Sequence, residues 1–348
     1  MIRRVGGVAG QRAFLERRTS HQRRRTTVFI AGVLALAPLD AWAHGFAGKR
    51  FFPSTLAIED PFVNDEFSLI VAHIKEPGEG DEPPTLATEI EAEYAKTIFP
   101  DFAIALGGSY NHLDPDGDED DRNGPGNLEV GAKYQFFTSP EHEALLSIGL
   151  EAEVGGTGDR DAEADEHSTI SPALFFGKGM GDVPESAWLA RPLALTGFFG
   201  GKVPTQERTV LLAVGEDGEI EEEIEDNPTA LSWGFSLQYN LNYLNSHVRD
   251  VGLPAPLDRM VPLVEFALRT CISDDCDGET AGTVNPGIIW VGKYVQLGIE
   301  AQIPLNDRTG DNVGVLAQFH VFIDDLMPSS LGRPIFGRKT PRPSWQVR

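Results

Sequence analysis

Residues 229–243 read TALSWGFSLQYNLNY, and their alternation of apolar and polar residues is the clearest indication of the fold. Large apolar residues occupy every second position: Leu231, Trp233, Phe235, Leu237, Tyr239, Leu241 and Tyr243. Successive side chains of a strand point to opposite faces, so the pattern predicts one apolar and one polar face. The length suits a tilted strand that crosses a bilayer with its polar face toward a wet lumen, although a soluble sandwich could also bury the apolar face.

The same alternation recurs along the chain and predicts strands at 66–74, 86–98, 101–112, 127–137, 143–155, 168–177, 187–203, 229–243, 259–272, 281–290, 294–305 and 313–325. Proline cannot donate to a strand ladder, so the prolines inside these segments predict bulges or a strand count off by a pair: Pro172, Pro192, Pro262 and Pro286. Long acidic connections follow the odd strands, and mostly short ones follow the even strands. We therefore predict an all-β fold, an antiparallel transmembrane β-barrel of about 12 strands with periplasmic termini.

The N-terminal 43 residues have the features of a cleaved signal peptide. Arg23, Arg24 and Arg25 precede a short apolar core at 28–37, and Ala41-Trp42-Ala43 fits a cleavage site that leaves His44 first. Sec export is the simpler interpretation, and the adjacent arginines leave a twin-arginine signal as the alternative. The predicted compartment is the outer membrane of a Gram-negative cell.

The rest of the chain divides into three predicted parts. Residues 44–65 have no clear period and predict a periplasmic lead-in or an inward-folded plug, and residues 66–327 form the barrel. Residues 328–348 are basic and contain prolines, which predicts a disordered tail.

Composition narrows the class of function. The chain has 29 Lys and Arg against 53 Asp and Glu, a formal net charge of −24. Nucleic-acid binding needs a basic surface, so this balance argues against it. The acidity favours attraction of cations or contacts with divalent ions at the surface loops, and the sequence leaves the oligomeric state unknown.

If the apolar faces meet lipid, the polar faces line a lumen. The predicted lumen-lining residues are Glu89, Glu91, Glu93, Glu129, Lys133, Glu151, Glu153, Arg191, Gln238, Glu265, Arg269, Glu300 and His320. Rings of charge select ions and orient polar solutes in a pore, but such side chains also fill narrow barrels as ion pairs. The acidic excess predicts cation preference if a pore exists.

Three features raise the question of metals and disulfides. Asp114, Asp116 and Asp118 alternate as in a calcium loop, but the glycine and glutamate of an EF-hand are missing. A free His44 amine and imidazole could chelate copper, although a second histidine would be needed. Cys271 and Cys276 are predicted to form a loop-stapling disulfide in an oxidising compartment, with free thiols as the alternative.

Two segments resemble a known family. HGFAGKRFFPSTLAIEDPFVNDEFSL at 44–69 and LGIEAQIPLNDRTGDNVGVLAQFHVFIDD at 297–325 are similar to bacterial outer-membrane barrels of the phenol-degradation meta-pathway transporter type. The resemblance implies a channel-like protein that passes small organic molecules. It implies no catalytic residues. Barrels of this kind commonly end on an aromatic residue that closes the last strand. The chain departs from that pattern, because it continues some twenty residues past its last predicted strand and ends in Arg348.

The sequence thus predicts an outer-membrane channel for passive passage of a small solute, with outer-membrane lipid and lipopolysaccharide as its surroundings. The alternative is a filled, non-conducting surface barrel with a structural or divalent-cation-binding role. No nucleophile elbow, P-loop, zinc or dinucleotide motif occurs, so we predict no enzyme and no cofactor. The lipid-face hypothesis further predicts that Leu237→Arg is costly and Gln238→Arg mild.

Overall fold

The structure, a computed structural model, describes residues 45–78, 83–117, 120–214, 220–273, 278 and 280–337. Twelve strands form one closed antiparallel barrel. Their bounds are β1 Glu66–Glu76, β2 Thr85–Phe99, β3 Phe102–Pro115, β4 Leu128–Ser139, β5 Ala144–Val154, β6 Thr169–Gly179, β7 Leu193–Pro204, β8 Ala230–Tyr239, β9 Met260–Cys271, β10 Thr280–Val291, β11 Val295–Pro304 and β12 Gly314–Phe322. The predicted twelve-stranded antiparallel barrel is confirmed.

The strands follow an up-and-down order. Each strand pairs with the next one along the chain, and β12 pairs with β1 to close the barrel. We call the end where β1 begins and β12 ends the terminal end, and the opposite end the loop end. The terminal end carries the connections 100–101, 140–143, 180–192, 240–259 and 292–294.

The polarity of the barrel is the reverse of that of a water-soluble domain. Outward-facing Leu106, Leu150 and Ile299 are 55%, 54% and 54% exposed. Inward-facing Glu265 and Gln296, by contrast, are each 0% exposed. The alternation found in the sequence therefore separates an apolar outer surface from a polar interior, as in a membrane barrel.

Several predicted strand bounds are corrected. The segment 229–243 leaves the barrel after Tyr239, because Asn240 accepts a hydrogen bond from the Tyr243 backbone and starts a short helix, Leu241–Tyr243. The strand predicted at 187–203 begins only at Leu193, since Glu185–Ala190 form a 3₁₀ helix. Local capping and turn formation therefore override the alternating pattern at the terminal end.

Short strands also occur outside the barrel wall. Phe46–Ala47 pairs with Arg50–Phe51, and Arg122–Pro125 pairs with β3 inside the predicted loop 113–126. The predicted loop 204–228 contains a two-stranded sheet of Arg208–Val214 and Ile220–Asp226. No helix in the described part of the chain is both long and apolar enough to cross a membrane.

The strand prolines do not produce the bulges that the sequence predicted. Pro172, Pro262 and Pro286 lie in β6, β9 and β10, whose registers continue across them without a shift. The register shifts occur instead at Thr97–Phe99 and at Gln135–Phe137. Pro192 lies just before β7.

The segment after β12 is also corrected in part. Ile335 and Phe336 donate backbone hydrogen bonds to the carbonyls of Thr97 and Ile98, and the Phe336 ring lies 5.6 Å from that of Phe99. The start of the predicted disordered tail therefore packs against the end of β2. Residues 338–348 lie outside the described residues.

Candidate lumen site

The predicted lumen residues fall into two groups on the barrel wall. Gln238, Glu265, Glu300 and His320 are at most 2% exposed. A half-buried group lies on β2, β4 and β5 and comprises Glu91, Glu93, Glu129, Lys133, Glu151 and Glu153. Glu89 and Arg269 are exposed on β2 and β9, and Arg191 lies in the connection before β7 rather than on a strand. The role of these residues in solute selection stays a prediction.

Residues 45–65, which we call the inner segment, run through the interior of the barrel. On one wall, Gln296 Nε2 donates to the Ser54 carbonyl at 2.6 Å and Gln318 Nε2 donates to the Thr55 carbonyl at 2.9 Å. On another wall, Lys133 Nζ donates to the Asp60 carbonyl at 2.8 Å.

Glu265 supplies the acceptor that complements these donors. Its Oε2 accepts from the backbone N–H groups of Leu56 and Ala57 at 3.2 and 2.6 Å. Buried backbone groups need hydrogen-bond partners, and the irregular inner segment cannot pair them within a helix or sheet. Polar side chains of the wall therefore take the place of secondary structure.

Apolar side chains of the inner segment fill two parts of the lumen. Leu56 is 6% exposed and packs in a cluster with Val261, Leu263, Ile289 and Leu316. Phe52 and Phe62 pack with their rings 5.6 Å apart, in a cluster with Ala47, Leu145 and Ala194. Each buried side chain of this size is worth about 1.5–3 kcal/mol relative to an exposed one.

At the terminal end, Arg50 anchors the beginning of the inner segment. Its Nε lies 3.2 Å from Glu143 Oε2, and its Nη1 and Nη2 donate to the carbonyls of Pro192 and Arg191 at 2.8 and 2.5 Å. Its guanidinium lies 3.6 Å from the centre of the Tyr243 ring, and the Tyr243 hydroxyl donates to Glu143 Oε1 at 2.6 Å. We call Arg50, Glu143 and Tyr243 the latch.

The latch is a buried ion pair with its hydrogen bonds made. Arg50 is 0% and Glu143 4% exposed. Burial lowers the pKa of the Arg50 guanidinium, and the Glu143 carboxylate opposes that shift. Burial also raises the pKa of Tyr243, and its hydrogen bond to Glu143 raises it further. Removing one partner would leave the other as an uncompensated buried group.

A glycine brings the inner segment against the wall near the latch. Gly48 has a φ of +64°, and a Cβ there would lie 1.9 Å from the Pro140 carbonyl oxygen. Only glycine adopts this conformation without strain while permitting that approach. The turn between Phe46–Ala47 and Arg50–Phe51 thus packs on the β4–β5 turn.

Asp65 anchors the other end of the inner segment. Its carboxylate is 0% exposed in solvent, forms an ion pair with Lys96 and accepts from the hydroxyl and the backbone N–H of Thr97. Its carbonyl accepts from the backbone of Ile323 at 2.9 Å and of Asp324 at 3.2 Å. Asp65 therefore fixes this end of the inner segment to β2 and to the short helix Ile323–Leu326 that follows β12, while Arg50 fixes the other end.

A cavity of about 260 Å³ remains between the inner segment and the wall formed by β1 to β8. Small residues shape it, among them Ala95, Ala105, Gly131, Gly149, Ala173 and Gly200. Its charged lining is Glu59, Glu66, Glu93, Lys133, Glu151 and Lys202. Four carboxylates therefore face two lysines around the cavity, and one of these lysines, Lys133, pairs through its Nζ with Glu59 Oε1 at 2.5 Å.

The weaker metal candidates do not assemble into a site. Asp114 lies on β3, and Asp116 Oδ2 pairs with Lys75 Nζ at 2.6 Å. In the described part of the chain, no three His, Cys, Asp or Glu side chains are grouped to hold a metal ion. Asp118 and His44 lie outside the described residues. So does Cys276, and the predicted disulfide with Cys271 stays a prediction.

Sequence reasoning missed the residues that hold the inner segment. Arg50 lies in a segment without periodicity, Asp65 at a strand boundary and Glu143 in a short turn. The alternation of apolar and polar residues gives no signal at such positions. A weak signal existed in Gln296 and Gln318, which are uncharged donors at inward positions of two regular strands. Such donors suit a buried backbone better than a wet pore.

No protein-family model and no curated protein matches this sequence. Among solved structures, the chain is similar to the COG4313 outer membrane channel from Pseudomonas putida F1, with 10% identity, a TM-score of 0.48, and coverage of 76% of this chain and 97% of that one. It is similar to the NanC porin, with 10% identity, a TM-score of 0.41, and coverage of 73% and 98%. It is also similar to the beta domain of the Bordetella autotransporter Brka, with 11% identity, a TM-score of 0.43, and coverage of 74% and 99%. Structural similarity at this level carries no argument about function. The assignment of a barrel rests on the strand pairing of this chain itself.

Proposed function

We propose that this protein is an outer-membrane channel for a small solute, and that its inner segment holds the channel in a closed form. The observation that carries this proposal is the inverted polarity of the barrel. Outward Leu237 is 45% exposed, whereas inward Gln238 is 1% exposed. Only a hydrocarbon environment makes such an outer surface favourable on all sides, and lipid with lipopolysaccharide is the proposed surrounding.

The hydrogen bonds of the inner segment support the closed form. The segment bonds to opposite walls through Gln296, Glu265 and Lys133, and it is fixed at both ends by Arg50 and Asp65. The acidic cavity beside it would admit cationic or polar groups of a solute. Passage would be passive, down the solute's gradient, and no catalysis forms part of the proposal.

The family resemblance supports an organic solute, and membership of that family is part of the proposal. The predicted signal peptide, residues 1–43, lies outside the described residues and stays a prediction. Periplasmic termini follow the orientation of barrels whose short turns face the periplasm and whose long loops face outward.

Conductance in planar bilayers tests the proposal. Wild-type protein is expected to give rare, small current steps. Arg50→Ala combined with Asp65→Ala, which releases both anchors, is expected to give frequent and larger steps. Lys75→Ala is the matched control, because its pair with Asp116 is exposed and lies away from the inner segment. A gel shift on boiling checks that each variant forms a barrel.

The same measurement tests the second candidate, a filled non-conducting barrel. The wall-to-wall hydrogen bonds of the inner segment favour that candidate. Absence of current in both the wild type and the released variant, with barrels intact, would support it. Recovery of the protein in the soluble periplasm, with no gel shift, would overturn the membrane barrel and the channel together.

A further inference from the structure

Four oxygen-bearing side chains lie together on the inward faces of β9, β10 and β11. Glu265 stands directly opposite Asn285 in the register of β9 and β10. Glu300 stands opposite Gly287, which lies two residues from Asn285 on the same face. Gln302 lies two residues from Glu300 on the same face of β11. Opposite and diagonal neighbours of this kind have Cβ atoms about 4.5–8 Å apart.

The Glu300 side chain lies over β10. A Cβ added at Gly287 would stand 2.4 Å from Glu300 Cγ, so the glycine makes room for this side chain. The carboxylate of Glu300 is thereby directed over the strand that carries Asn285. Glycine at 287 and glutamate at 300 thus act as a matched pair.

Several polar atoms of these side chains are buried without hydrogen-bond partners in the described structure. Asn285 is 0% exposed, and neither its Oδ1 nor its Nδ2 has a partner. Glu300 is 2% exposed, and both of its carboxylate oxygens lack a partner. Glu265 Oε1 and Gln302 Oε1 also lack partners. Native proteins rarely leave so many buried polar atoms unsatisfied in one place.

Protonation satisfies this group only in part. A shared proton could relieve the repulsion between Glu265 and Glu300, but it would leave the Asn285 carbonyl and Gln302 Oε1 without donors. A bound cation would satisfy all of these oxygens at once. Two carboxylates and two carboxamides form a hard, all-oxygen set with two negative charges, which favours a divalent cation over nitrogen- or sulfur-preferring metals.

We propose that Glu265, Asn285, Glu300 and Gln302 form a calcium-binding site in the wall of the barrel. Calcium accepts several protein oxygens in irregular geometry, including bidentate carboxylates, whereas magnesium demands octahedral geometry and keeps several waters. The buried setting suits the ion that replaces its water with protein ligands. The proposal stands whether or not the barrel conducts.

The proposed site lies beside a cavity lined by acidic residues, and calcium binding there would affect how the inner segment is held. Gln302 lines a cavity of about 180 Å³ together with Glu89 and Glu91, and Glu89 is exposed toward the loop end. Glu265 uses its other oxygen, Oε2, to hold the backbone of Leu56 and Ala57. Calcium on Oε1 would therefore fix the carboxylate that anchors the inner segment.

Calcium binding to the full-length barrel in detergent tests the site. After treatment with a chelator, titration of the wild type with calcium followed by calorimetry is expected to show one saturable site beyond loose surface binding. Glu300→Gln is expected to weaken that site by more than about tenfold, because the charge and one carboxylate ligand are lost. Glu129→Gln, an acidic residue of the lumen on β4, and Asp116→Asn, in an acidic loop, are expected to retain it.

A second variant and a second measurement distinguish loss of the calcium site from misfolding of the barrel. Asn285→Ala is expected to weaken calcium binding as well, and the gel shift on boiling identifies variants that still form barrels. Calcium is expected to raise the temperature at which the wild-type shift is lost, with no such rise in Glu300→Gln. Absence of a saturable site, equal binding by magnesium, or a calcium response that survives in both Glu300→Gln and Asn285→Ala would each overturn the proposal.

Discussion

Leu237 and Gln238 are sequence neighbours on β8, yet they belong to opposite environments. The Leu237 side chain is 45% exposed on the outer surface, while Gln238 is 1% exposed and donates to the Thr196 hydroxyl at 3.1 Å inside the barrel. The alternation of side chains along a strand produces this contrast within one residue step.

Leu237→Arg is expected to destabilise the barrel, because it places a charge on the lipid face. Since β8 ends at Tyr239, only two residues on, the cost is expected to be below the about 2–4 kcal/mol of a charge at the bilayer midplane. Urea unfolding in lipid vesicles measures the cost. The expectation that Gln238→Arg is mild is corrected. The Gln238 side chain is buried and hydrogen-bonded, so a larger, charged guanidinium at this position is expected to be costly too. Glu129→Arg is the better lumen control, because the half-buried Glu129 carboxylate stands among other acidic side chains. Equal costs at 237 and 129 would contradict the lipid-face assignment.

The latch predicts a local destabilisation. Arg50→Ala leaves the Glu143 carboxylate buried without its cation, and such losses cost about 3–5 kcal/mol. Hydrogen exchange of the inner segment is expected to accelerate strongly. Adding Glu143→Gln to Arg50→Ala should recover part of the loss, since no charge is then left buried. Lys75→Ala, which breaks an exposed pair with Asp116, should change exchange little. An unchanged exchange rate in Arg50→Ala would show that the latch does not hold the segment.

The two glutamines of β11 and β12 predict a smaller effect. Gln296→Ala and Gln318→Ala each leave a buried carbonyl of the inner segment without its donor, at a cost of about 1–3 kcal/mol. Limited proteolysis of the inner segment is expected to become faster in both variants. Gln135→Ala is the matched control, because the Gln135 side chain donates to the Thr138 hydroxyl at an exposed site. If all three variants resisted proteolysis alike, these hydrogen bonds would not fix the segment.

Selectivity gives a prediction that depends on conduction. In the released variant Arg50→Ala with Asp65→Ala, adding Glu93→Gln and Glu151→Gln is expected to lower cation preference, because both carboxylates line the larger cavity. The reversal potential under a potassium chloride gradient measures this preference. Asp116→Asn in the same background removes one acidic charge outside the cavity lining and is expected to leave the potential unchanged. If the reversal potential were unchanged by Glu93→Gln and Glu151→Gln, the cavity would be excluded from the conduction path.

The alternation of apolar and polar residues determined the number, order and facing of the strands. Stretches such as 294–305 carry a two-residue period, and this period survives in any antiparallel barrel because it depends only on backbone geometry. The same pattern placed Gln238, Glu265, Glu300 and His320 on the inner face. The long acidic connections indicated which end of the barrel carries the loops.

Tertiary structure alone decided what those inward residues do. Arg50, Asp65 and Glu143 carry no periodic signal, and their pairings join residues 31 to 93 positions apart. Glu265 accepts hydrogen bonds from the backbone of Leu56 and Ala57, which lie 209 and 208 positions away in the sequence. Local sequence fixes the direction of a side chain, because that direction follows from the dihedral angles of its own strand. Which partner it meets depends on how the closed barrel and the inner segment fill the same space.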